Sequence, residues 1–246
     1  MALRIPTLIL ASLACVSLSA VWPQDQTDGS EDTGADWIRL ESARSGRTHA
    51  EQTEVHVIHA RAASADRAMQ MQALERVRTL VEENDPVSRF PEITEIVSLL
   101  VLEPYRVARY GGDASGTSGG NGTPEVRIEA LELLGRIGGQ EAYDVVVESL
   151  RVERDPAVRA AALRVLPRLD VRPGDELPDI LARSLRQSSR DPASLRAALE
   201  TVRELHGRYG FMDTPELFTA VIDVAQGPHG AGLRRDAFSV VELLRE

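Results

Sequence analysis

The sequence contains no lysine. All 28 of its basic residues are arginine, set against 38 acidic residues, for a formal net charge of -10. That absence removes Schiff-base chemistry, the lysine of a phosphate-binding loop and a lysine general base. Cysteine is almost as scarce, with a single Cys15 inside the first twenty residues. If that segment is removed, no cysteine nucleophile, disulfide framework or thiolate zinc site is left. Gly-x-Ser-x-Gly and the zinc-protease helix motif are also missing, so the common hydrolase templates have no foothold. The acidic balance argues against a nucleic-acid binder, which needs a basic footprint. What is present is 246 residues, 43% of them apolar, enough for a sizeable core in one or two domains.

Met1 to Ala20 is expected to be a secretory signal. Arg4 supplies the positive start, Ile5 to Val16 a short apolar core, and Ser17, Ser19 and Ala20 the small residues at which cleavage occurs. The apolar run is too short to span a bilayer. Ser12-Leu13-Ala14-Cys15 loosely resembles a lipoprotein box, which makes Cys15 the alternative lipidation point. Ser12, however, stands where a branched aliphatic residue is usual, and Val16 and Leu18 keep the following sequence apolar. Either route predicts an exported chain, periplasmic or secreted, and held at a membrane only if Cys15 is lipidated.

Residues 21–61 are expected to be an acidic tether followed by a poorly defined segment. Asp25, Asp28, Glu31 and Asp32 are interleaved with Gln, Thr, Gly and Ser, without apolar periodicity. Trp37, Ile38 and Leu40 suggest the start of a short helix, and Val55, Val57 and Ile58 a short extended piece. From residue 62 the spacing turns helical, with Met69, Ala73, Val77 and Leu80 on one face and a second helix over Pro91–Leu102. Leu102 to Tyr110 has no evident partner. Residues 111–122, GGDASGTSGGNG, hold six glycines in twelve positions and are expected to be a flexible linker. Any helical stack would then be interrupted there.

Residues 123–246 repeat themselves. TPEVRIEALELLGRI (Thr123–Ile137) and DPAVRAAALRVLPRL (Asp155–Leu169) place a capping side chain, proline, valine, arginine, alanine and leucine at identical offsets. Asp191–Leu205 is a third version, with its arginine moved to Arg196, and Leu233–Phe238 a fourth that carries Arg234. The shared Ala130, Ala162, Ala198 and Ala237 lie 32, 36 and 39 residues apart, and Ala73-Leu74 fits as an earlier copy. Asp or Thr before Pro starts a helix, because the side-chain oxygen caps free N–H groups and proline loses no bond at the first position. The alanine permits close helix approach. Second helices follow at Glu141–Leu150, Leu177–Arg186 and Pro215–Ala225. Pro167, inside the first helix of its pair, should kink or end it early. Short helix pairs cannot bury their apolar faces alone and must stack. The expected fold is all-α, a solenoid of about four to five antiparallel helix pairs.

The motif Asp-Pro-x-Val-Arg-x-x-Ala-Leu, clearest at Asp155–Leu163, resembles the HEAT-like repeat family, in particular its short bacterial version also seen in phycobilisome-lyase-type proteins. The resemblance covers 123–246 well and 66–102 weakly. It implies a right-handed stack used mostly as a binding scaffold, with complex-assembly factors and occasional chromophore-attachment enzymes on the same fold.

Arg127, Arg159, Arg196 and Arg234 form a row at matching or nearly matching positions. They are read as a structural ladder between repeats, with an anionic ligand groove as the alternative. Five histidines occur, His49 among them. His56 and His59 would share a helical face but have no third ligand at a recognisable spacing, and His206 and His229 are read as surface or capping residues; no metal and no cofactor is implied. Tyr105, Arg106, Arg109 and Tyr110 form a small aromatic–cationic cluster before the glycine loop. The last helix is apolar over more than half its circumference and lacks a following helix to cover it. The helix is read as nestling in the groove between the previous two helices, with Leu233, Phe238 and Val241 as a candidate face for a partner or a second copy as the alternative. The functional expectation is a non-enzymatic, exported scaffold that binds another envelope protein. The alternative is a ligand-handling, lyase-like HEAT-repeat protein acting on a cofactor or chromophore-bearing partner.

Overall fold

The computed structural model describes residues 48–83, 92–109, 123–210 and 214–245, with the side chains of 103–109 excepted. Among them there is no strand. Ten α-helices follow one another: α1 (His49–Ala62), α2 (Arg67–Glu83), α3 (Glu92–Arg109), α4 (Pro124–Ile137), α5 (Gly139–Val152), α6 (Pro156–Val165), α7 (Leu177–Gln187), α8 (Pro192–Tyr209), α9 (Pro215–Gln226) and α10 (Ala231–Leu243). A 3-10 turn, Leu166–Leu169, extends α6.

The helix starts follow the capping chemistry. Asp155 accepts the N–H groups of Ala157 and Val158 at 2.9 and 3.2 Å, and Asp191 that of Ser194 at 2.9 Å. Thr214 does the same for Leu217, and proline occupies the opening turn of α4, α6, α8 and α9. Gly138 alone joins α4 to α5. It and Gly139 lie at φ +70° and +83°, a left-handed conformation that only glycine adopts cheaply and that lets the chain reverse within one residue.

The helices form two rows. Even-numbered helices pack in succession, α2 on α4, α4 on α6, α6 on α8 and α8 on α10; odd-numbered helices do likewise from α1 to α9. The apolar core lies between the rows. Each odd helix also packs on the even helix that follows it, α1 on α2, α3 on α4 and α9 on α10 most extensively. The described residues therefore form five helix pairs in an all-helical stack.

Two expectations are corrected. Val55 and Ile58 are not extended: they lie in α1, whose start is a capping box in which Thr48 and Glu51 satisfy each other's backbone N–H groups. Val55, Ile58 and Ala62 of α1 are buried, so this helix belongs to the stack. Helix α3 continues through the segment after Leu102, and α3 contacts α4 and α5 while α2 contacts α4. The stack therefore passes unbroken from α3 to α4, whatever the length of the connection. Helix α10 nestles against the two helices before it, α8 and α9, as expected, with Leu233, Ala237, Val240 and Val241 buried.

Residues 1–20 with Cys15, the tether and the glycine-rich loop lie outside the described residues. No helix among the described residues is long and apolar enough to cross a membrane.

Candidate interaction groove

Alanine marks the centre of each even helix. Ala130, Ala162, Ala198 and Ala237 are all fully buried, as is Ala73 in α2. A side chain of one carbon lets α4, α6, α8 and α10 approach each other closely, and Leu131, Leu163 and Leu199, which follow the alanines of α4, α6 and α8, are buried beside them. Gly135 brings α4 and the end of α6 closer still; a Cβ there would meet the Cγ1 of Val165 at 3.0 Å.

The signature arginines divide into two kinds. Arg127 and Arg159 are buried, while Arg196 and Arg234 are exposed. Both buried guanidinium groups converge on Glu153, the residue that ends α5. Arg127 donates from Nε to Oε2 of Glu153 at 3.2 Å, and Arg159 donates from Nη2 to the Glu153 carbonyl at 2.6 Å. Oε1 of Glu153 accepts the N–H groups of Arg154 and Asp155, both at 2.7 Å. One carboxylate thus ties α4, the α5–α6 connector and the start of α6 together. In the next repeat the residue after the odd helix is Ser188, whose Oγ accepts from Arg159 at only 3.5 Å, and the Arg159 Nε is buried without a hydrogen-bond partner. This pairing lies 26 residues apart in sequence, and no local pattern announces Glu153 as the partner.

A second set of arginines, outside the Asp-Pro-x-Val-Arg motif, links the even helices along their outer surface. Arg136 of α4 reaches Glu82 of α2 at 2.9 Å, and Arg168 reaches Glu132 of α4 at 2.6 Å. Arg208 of α8 donates to the Pro167 carbonyl at 2.7 Å. Exposed pairs of this kind contribute little individually, about 0–1 kcal/mol. Their effect here is on register.

Pro167 shapes the groove. Lacking an N–H, it cannot continue the α-helical ladder, so α6 stops at Val165 and tightens into the 3-10 turn, which Asp170 closes at φ +52°. Helix α6 is therefore only 10 residues long between neighbours of 14 and 18. The shortfall leaves a groove of about 260 Å³ lined by Glu132, Arg164, Pro167, Arg168, Ala197, Glu200, Thr201 and Glu204. Its floor is fixed by Thr201, whose hydroxyl lies 2.8 Å from the carbonyls of both Leu163 and Ala197. Arg168 is held by Glu132. Arg164, Glu200 and Glu204 make no ion pair among the described residues and project from α6 and from successive turns of α8. The lining offers charge of both signs around a short apolar floor. Its polar groups are carboxylates, guanidiniums and the Thr201 hydroxyl, which suit ion pairing and hydrogen bonding.

Three titratable groups are perturbed among the described residues: the exposed Glu125 carboxyl at the start of α4 is lowered, chiefly by backbone hydrogen bonding, and the other two serve connectors. Burial pushes the Tyr143 hydroxyl above its usual range, opposed by the Gly174 N–H that donates to it at 3.1 Å and pins the segment before α7. Hydrogen bonding from Ser194 holds the Asp191 carboxyl below the usual carboxylate range, against the effect of burial.

The candidate face at the last helix is corrected. Leu233 and Val241 point into the core, and of the three residues Phe238 alone is exposed. His49, His56 and His59 are exposed, and among the described residues no group of three or more His, Cys, Asp or Glu is arranged to hold a metal. His206 is partly buried at the end of α8, its Nδ1 without a hydrogen-bond partner, and His229 lies in the α9–α10 connector. Helix α3 carries the backbone of Tyr105, Arg106 and Arg109; their side chains and Tyr110 lie outside the described residues.

Comparison with curated proteins and with solved structures finds no match. The family model of HEAT repeats matches residues 120–203, the span from α4 to the middle of α8 that holds the groove and the Glu153 staple. The capped Asp-Pro starts, the buried alanine register and the two stacked rows of helices over that stretch agree with HEAT-like repeats.

Proposed function

We propose that this protein is an exported, non-catalytic scaffold that binds another protein of the cell envelope through the even-helix surface. The observation that carries the reading is the groove between α4 and α8. Arg164, Glu200 and Glu204 stand there unneutralised by the fold, on a lining held rigid by Thr201, Arg168 and Arg208. Rigid, mixed-charge surfaces select partners by electrostatic complementarity and register rather than by apolar area. A partner segment that offers a carboxylate to Arg164 and an arginine or lysine to Glu200 and Glu204 would fit. Export rests on the reading of Met1–Ala20, whose charged start, apolar stretch and small residues support it.

The mature chain, immobilised and washed with envelope extract, tests the function. The expected outcome is recovery of one protein in stoichiometric amount, lost when Glu200 and Glu204 are both replaced by arginine. Co-purification of a coloured or small-molecule ligand, with no protein partner, would overturn the scaffold in favour of ligand handling. Mass spectrometry of the N-terminus tests export: a chain that starts at Ala20 or Val21, or a diacylglyceryl mass on Cys15, is expected, and an intact Met1 in fractionated cells would sink it.

A further inference from the structure

Helix α10 carries a residue out of place. In the repeat register Leu131, Leu163 and Leu199 occupy the position after the shared alanine, and each is at most 1% exposed. Phe238 holds the same position in α10 and is 51% exposed. The aromatic ring is therefore exposed at a position that is buried in α4, α6 and α8.

The surroundings of the ring show what it suits. Arg235, Phe238, Ser239 and Glu242 are all exposed and are spaced three, four and seven residues apart, so they form one stripe along α10. Arg234 flanks the stripe, also exposed. Arg245 is drawn aside, its guanidinium 5.9 Å from the Phe218 ring of α9. The stripe thus bears a cation at one end, an anion at the other and an aromatic ring at its centre. It is complementary to itself when reversed.

We propose that two copies of the chain associate through α10 in an antiparallel, two-fold contact centred between Phe238 and Ser239. In that arrangement Arg235 of each copy faces Glu242 of the other, twice over, and the two Phe238 rings lie on either side of the axis. A two-fold contact brings the same patch to both sides, so only a patch with this reversed polarity gains from it. A parallel arrangement would set Arg235 against Arg235. Helix α10 spans 13 residues, about 20 Å, and a single helix face of that length buries less than the roughly 800 Å² per partner of a standard interface. The dimer is accordingly weak and concentration-dependent. The net charge of -10 opposes it at long range, so it forms at physiological ionic strength, where that repulsion is screened beyond about 8 Å. The inference rests on α10 alone and stands or falls independently of the groove and of the envelope partner.

Sedimentation velocity of the mature chain over a rising concentration series at physiological salt provides the test. The native chain should show a reversible monomer–dimer equilibrium. Arg235→Glu alone sets two carboxylates together at both contacts, and Glu242→Arg alone sets two guanidiniums together. Each should weaken dimerisation by about tenfold or more. An equimolar mixture of the two variants restores an opposite-charge pair at both contacts and should form a heterodimer as tight as the native homodimer. Phe238→Ser should also yield a monomer. All three positions are solvent-exposed, so circular dichroism should show unchanged helicity. A native chain that is monomeric throughout, variants that dimerise as the native chain does, or a mixture that fails to recover association would each overturn the proposal.

Discussion

Arg127 of α4 donates its Nε–H to Oε2 of Glu153 at 3.2 Å, and the two side chains are only 10% and 2% exposed. The pair is the centre of the stack rather than an ornament on it, because the same carboxylate also holds the backbone that turns from α5 into α6. Taking one partner of a buried pair away leaves the other uncompensated, at a cost of about 3–5 kcal/mol, whereas removing both together is far milder. Glu153→Ala is expected at that level, since it also strands the amides of Arg154 and Asp155. Arg127→Met should cost less than Glu153→Ala. The double variant should lose clearly less than the sum of the singles in urea unfolding. Strict additivity would show that the pair carries no coupling.

Arg159 has the same role one repeat further on with a poorer partner. Ser188 stands at the position of Glu153, its Oγ 3.5 Å from Nη1, and the Nε of Arg159 is buried without a hydrogen-bond partner. Ser188→Glu would place a carboxylate there. Hydrogen bonds to charged groups contribute about 1.5–3 kcal/mol, so a stabilisation of about 1–2 kcal/mol is expected after the added side chain is ordered. Thermal unfolding of the variant reads this directly, and a lowered midpoint would count against it.

Asp191 links helix capping to pH. Its carboxyl is held below the usual range by hydrogen bonding from Ser194 at the start of α8. A folded-state value below the unfolded one means that ionised Asp191 stabilises the fold. That contribution is complete above about pH 4, the ordinary range for an aspartate, and is lost as pH falls through the lower folded value. Asp191→Asn keeps a good capping oxygen but removes the charge. The native chain should therefore exceed the variant in melting temperature near neutral pH, with the gap closing at acid pH. A gap that does not vary with pH would assign the effect to capping alone.

Gly135 sets how closely α4 meets α6. Alanine would gain about 1 kcal/mol of helix propensity, but its Cβ would lie 3.0 Å from Cγ1 of Val165, a fully buried β-branched side chain with little freedom to move. Gly135→Ala is expected to destabilise the native chain. In a Val165→Ala background, with the obstructing methyl removed, the same substitution should stabilise. Chemical unfolding of the four proteins checks for that change of sign.

Local features carried much of this architecture. Asp155-Pro156 and Asp191-Pro192 announce helix starts because a cap and a proline act within one turn. Pro167 announces the early end of α6 for the same reason, and with it the position of the groove. Helix α1 was illegible because it buries only Val55, Ile58 and Ala62, too few apolar residues to impose a period; its capping box at Thr48 and Glu51 was the available signal.

The amino-acid sequence by itself determined that the chain forms repeating, capped helix pairs and that alanine and leucine recur at their centres, since capping, proline and periodicity are short-range effects. Only the tertiary structure decided that α9 covers α10, that Arg127 and Arg159 are buried around Glu153 while Arg196 and Arg234 reach solvent, and that Phe238 is exposed where its repeat equivalents are not. An apolar arc shows that a helix is buried but not by which neighbour. An arginine's partner or a ring's exposure depends on a helix arriving from tens of residues away, and on whether any helix arrives at all.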